Sequence, residues 1–178
     1  MKCFIFFVVI ALVAGCRAQP LTYQGLLPYA GQTRAFLAWY LNEYPKGEYP
    51  NPGFVLVDTA AGPYFEEFVD IDTDSADFTT AERAEISAEL KKPRFAVWKS
   101  EQIPQARIVS RYSLEPGETH SEFGAPIFLR NNTLCLFYSS DFAVWALSGK
   151  GSLTLYRRAG KGWERVRDFG SWGRLTDN

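Results

Sequence analysis

The chain has 178 residues, of which 47% are hydrophobic, 16% aromatic and 22% charged, with a formal net charge of −1. Nearly balanced, interspersed charges exclude the basic footprint of a nucleic-acid-binding domain. The length suffices for one domain that buries roughly 70% of its unfolded surface without help from a cofactor or a disulfide.

The first element is a targeting segment. Lys2 is followed by an unbroken apolar run from Cys3 to Ala14, the pattern of a charged n-region and an h-region. The run is shorter than the roughly 20 apolar residues that cross a bilayer, so it reads as a removed signal peptide. Val13-Ala14-Gly15-Cys16 resembles the lipobox of bacterial lipoproteins, in which small residues fit the peptidase and the cysteine sulfur takes the diacylglyceryl group. This resemblance implies a signal peptide over 1–15, lipid attachment at Cys16 and a palmitate-bearing membrane anchor. Arg17 stands where an aspartate would resemble an inner-membrane retention signal, which implies the outer membrane. The alternative is plain secretion or a periplasmic location, with Cys16-Arg17-Ala18 as an A-x-A-like site and a mature start at Gln19.

Cysteine usage follows from that address. Cys3 leaves with the signal and Cys16 becomes a thioether, so Cys135 remains alone and no intramolecular disulfide is possible. Its setting, Thr133-Leu-Cys-Leu-Phe-Tyr138, reads as a buried strand with an inert thiol.

Residues 16–31, with Pro20, Gly25, Pro28 and Gly31, read as a lipidated tether and lead-in loop, and 32–178 as a single domain. Apolar residues at helical spacing predict a helix over about 33–44 carrying an aromatic stripe of Phe36, Trp39, Tyr40 and Tyr44. Phe54 to Val57 is a buried strand, and Tyr64 to Ile71 a second candidate. Thr79-Thr-Ala-Glu82 is a capping box that opens a helix over about 81–92, closed by Pro93. The remainder reads as β: 95–98, 107–112, 126–129, 133–138, 151–158 and 162–169. Asn131-Asn132 turns one hairpin, and the glycines of Ala159-Gly-Lys-Gly162 turn the last one. Helices early and hairpins late predict an α+β fold, two helices on a mostly antiparallel sheet that ends in a hairpin.

Ala125-Pro-Ile-Phe-Leu-Arg-Asn-Asn132, the run to Tyr138, Gly149-Lys-Gly-Ser-Leu-Thr-Leu-Tyr156 with Trp163, and the Phe78-Thr-Thr-Ala-Glu82 helix start resemble a group of uncharacterised bacterial lipoproteins and secreted proteins over about 78–170. Members of that group carry Cys-x-x-x-Cys before the glycine-rich strand start, where this chain has Val144 and Ser148. Any disulfide or metal role of that pair is therefore not carried over. The resemblance implies a fold and an address, not an activity.

Candidate chemistry is sparse. Asp70, Asp72 and Asp74 match the opening of an EF-hand loop, but Ser75 replaces the turn glycine, Asp77 the apolar anchor and Ala81 the closing glutamate. The stretch reads as a solvated acidic loop, with a calcium-stabilised domain as the alternative. His120, the only histidine, sits among Glu115, Glu118 and Glu122 in a stretch whose composition reads as an exposed turn. An enzyme would use it with Glu118 or Glu122 as a hydrolase-type acid–base pair. Too few His and Cys ligands remain for a zinc site. There is no nucleophile elbow, and Ser148-Gly-Lys-Gly-Ser152 lacks the spacing of a phosphate loop. Adjacent Glu66 and Glu67 would face opposite sides of a strand and cannot form a glycosidase pair. Most tryptophans read as core, with Trp145 the one placed at the surface. The expectation is a non-enzymatic envelope lipoprotein with no catalytic, metal or cofactor residues. Its partners would be the membrane, through the anchor, and a protein or envelope ligand rather than nucleic acid.

Overall fold

The computed structural model describes residues 30–43, 54–58, 77–91, 98–101, 103–143 and 149–174. Helix α1 is Ala30–Glu43 and α2 is Thr80–Lys91. The strands are β1 Phe54–Val57, β2 Ala106–Val109, β3 Thr119–Phe123, β4 Ile127–Leu129, β5 Leu134–Ala143, β6 Gly149–Ala159 and β7 Gly162–Arg174, with a short 3-10 turn at Arg111–Ser113. They form one seven-stranded sheet in the order β2-β1-β3-β5-β6-β7, with β4 paired to β5 beside β3. The fold is α+β, and the sheet is mostly antiparallel.

The exception is β1, which runs parallel to both β2 and β3. Its sequence explains this placement. Val55, Leu56 and Val57 are all buried, and a continuous apolar run suits a parallel strand covered on both faces.

Two clusters fill the faces. On one, α1 lays Phe36, Leu37, Tyr40 and Leu41 over Leu56, Phe123, Cys135, Phe137 and Tyr156. Phe36 is the hub, with the Phe137, Tyr156 and Trp163 rings 5.1, 5.5 and 5.4 Å away, all edge-on. Edge-to-face pairs of this kind add about 0.5–1.5 kcal/mol beyond burial. On the other face Ile86 of α2, with Phe78, covers Ile127, Leu136, Tyr138, Leu153 and Leu155.

The capping box forms as the sequence predicts. The Glu82 amide donates to Thr79 Oγ1 at 3.2 Å, and the Thr79 amide donates to Glu82 Oε2 at 2.8 Å. Tertiary structure adds a third group, because Arg130 in the β4–β5 turn donates to both Glu82 oxygens at 2.7 and 3.0 Å. That turn takes positive φ at Arg130, Asn131 and Asn132; the asparagines tolerate this, while a long side chain does so less readily.

Several boundaries move. α1 starts at Ala30 rather than near 33, because its first turn is anchored by buried Thr33. The last hairpin is longer at its open end, and its loop is only Gly160-Lys161, with φ +56 at the glycine. Two bulges in β7 shift the register, so that Val166 and Phe169, three residues apart, both pack on the α2 cluster. A bulge inserts one residue and resets which face follows. Residues 107–112 are not one strand, since β2 ends at Val109 and a 3-10 turn follows. Trp98 is a buried anchor outside any strand, its Nε1 donating to the Phe123 carbonyl at 3.3 Å. Cys16, the 64–71 strand candidate with Glu66 and Glu67, Asp70, Asp72 and Asp74, and 95–97, Val144, Trp145 and Ser148 lie outside the described residues. No described helix is long and apolar enough to cross a membrane.

Candidate functional site

The stretch around His120 corrects the sequence reading. It is not an exposed turn but β3, an interior strand between β1 and β5. Its register pairs His120 with Phe142, Ser121 with Asp141 and Glu122 with Ser140. Side chains alternate across a strand, so His120 and Glu122 share the α2 face while Ser121 turns to the other. The composition misled because polar residues fill both faces of an interior strand; only Phe123 reads as core.

His120 and Glu122 are both buried, at 9% and 2% exposure. Imidazole Nε2 stands 3.5 Å from Glu122 Oε1, and the ring stacks on Phe142 with centroids 5.6 Å apart. Arg111, half-exposed on the 3-10 turn, donates to the same Glu122 oxygen. A buried carboxylate needs such a partner, because an isolated one would be driven to its neutral form. The His120 Nδ1 and the Ser140 hydroxyl are buried without a hydrogen-bond partner among the described residues. On the opposite face Ser121 donates to Asp141, and Tyr40 of α1 donates to Ser139 at 3.0 Å.

Glu118 does not join the histidine. It pairs with Arg107 of β2 and accepts from the Glu115 amide at 3.2 Å. Asp77 is likewise committed, to Arg167 of β7 at 3.1 Å. Asp168 accepts from Thr154 at 2.7 Å and pairs with Arg165. Burial opposes its ionisation, but these donors outweigh that and hold its carboxyl below the usual range. Cys135 is fully buried, in register with Phe128 of β4 and Tyr156 of β6, and burial pushes its thiol well up, as the apolar setting implied.

The chemistry available at β3 is that of a carboxylate shared by a guanidinium and an imidazole. Among the described residues no three His, Cys, Asp or Glu side chains come together as a metal site would require. No protein-family model, curated protein or solved structure matches the chain.

Proposed function

We propose that the chain is a cell-envelope lipoprotein, anchored in the outer membrane by lipid on Cys16, whose α+β domain is a binding or interaction module rather than an enzyme. The observation that carries the non-enzymatic reading is the position of His120. The chain's one histidine is built into the body of the sheet, against a carboxylate that Arg111 already neutralises. A general base must reach the proton it removes, and this imidazole is covered. The address rests on Lys2, the apolar run and Val13-Ala-Gly-Cys16.

Two measurements test the two halves. Intact mass and detergent partitioning of the protein from its host, beside Cys16→Ala, read the anchor. Acylation in the parent with release or failed processing of the variant supports it, and a soluble product starting at Gln19 refutes it. A hydrolase screen of the parent and His120→Gln reads the second half. Turnover by the parent that the variant loses, with its circular dichroism intact, would make the protein an enzyme built on His120 and Glu122.

A further inference from the structure

The direction of α1 fixes which end of the sheet meets the preceding chain. Phe36 lies against Phe128, Tyr156 and Trp163. Tyr40, one turn later, lies against Phe123 and reaches Ser139. Along β5 this is a step from the partner of Phe128, Cys135, towards Ser139. α1 therefore runs along β5, away from the β6–β7 turn, and the chain from Cys16 joins its N-terminus at the end where that turn lies.

Among the described residues, that end carries unbalanced positive charge. Arg130, Arg157, Arg165 and Arg167 are matched by Glu82, Glu164, Asp168 and Asp77. Among the described residues Arg34, Arg158 and Lys161 have no carboxylate partner, and all three are exposed. Arg158 is held over the Trp163 ring, 5.7 Å from its centroid, so its charge is fixed at the tip by a cation–π contact. Arg34 lies in the turn of α1 before Phe36, and Lys161 is at the apex of the loop. The chain as a whole is slightly acidic, so the surplus belongs to these described residues and not to the overall composition.

We propose that the β6–β7 tip, through Arg34, Arg158 and Lys161, rests on an anionic phospholipid surface at the end of the domain from which the lipidated segment enters. The proposal rests on the lipoprotein reading for its geometry. A cation near an anionic leaflet gains roughly a fivefold preference, and a lipid anchor that already holds the domain at the surface makes the contact effectively intramolecular.

The test uses the mature protein purified from its host and incorporated into, or mixed with, phosphatidylglycerol or phosphatidylcholine vesicles. Amine acetylation is then read peptide by peptide. Lys161 labelling is expected to fall roughly fivefold or more in phosphatidylglycerol relative to phosphatidylcholine, with Lys150, at the far end of β6, unchanged. High salt should remove the difference, and so should Arg34→Glu with Arg158→Glu. Equal labelling of Lys161 in both vesicles would overturn the proposal whichever way Cys16 is processed. The intact mass of the same sample reports acylation separately, so loss of the anchor and loss of the tip contact are distinct results.

Discussion

A Cβ placed on Gly162 would stand 2.8 Å from the indole Nε1 of Trp39. The first residue of β7 thus has no side chain because a tryptophan from α1 occupies its space, and the close approach seats α1 against the hairpin. The same tryptophan stacks edge-on with Tyr156 at 5.7 Å.

Gly162→Ala should therefore cost about 1–3 kcal/mol by overpacking, seen as a lower urea midpoint with an unchanged slope. Trp39→Phe, which withdraws the indole nitrogen, should recover part of that loss in a double-mutant cycle. Additive losses would show that the two residues do not meet.

Arg111→Ala should destabilise by about 2 kcal/mol, because it leaves the buried Glu122 charge short of its guanidinium. The figure is set below the usual cost of breaking a buried pair because Arg111 is half-exposed. Glu122→Gln in the same background should restore stability, since the uncompensated charge is then gone. A double variant no better than Arg111→Ala would mean that the charge is not what costs.

The Arg130 hydrogen bonds hold the Glu82 carboxyl at about 2, against the opposing effect of burial and with help from Thr79, from an ordinary value of 4.5. A carboxyl depressed in the folded state contributes stability above its unfolded value and loses it as pH falls towards the folded one. Wild type should therefore lose this contribution between 4.5 and about 2. Arg130→Ala, which keeps the left-handed backbone but removes the guanidinium, should be less stable at neutral pH and converge on wild type near the lower limit. Urea titrations across that range read the convergence.

Cys135 should resist thiol reagents in the native protein and react fully in denaturant, because the reactive species is the thiolate and burial disfavours it. Cys135→Ser should destabilise by about 1–3 kcal/mol, the cost of a buried hydroxyl without a partner. Rapid native labelling would show that the sheet opens there.

Legibility in the sequence followed the range of the interaction that decides each feature. α2 was readable because Thr79 and Glu82 cap it within one turn. The last hairpin was readable because Gly160 supplies its own positive φ. The burial of Cys135 was readable from the apolar run around it. β3 was not, because nothing within Thr119-His-Ser-Glu-Phe123 states that β1 and β5 will flank it. The candidate site was half legible for the same reason: His120 and Glu122 are two residues apart and share a face, but Arg111 reaches them from across β1.

Periodicity, capping and turn chemistry act over a few residues, and they are enough for the α+β class, the two helices, the closing hairpin and the apolar run before Cys16. That β1 pairs in parallel on both sides, that β3 is interior and that Glu118 goes to Arg107 while Glu122 goes to Arg111 emerges only in the folded chain. Those outcomes depend on which strands become neighbours, and hydrogen-bond pairing and charge neutralisation between distant segments have no local signature.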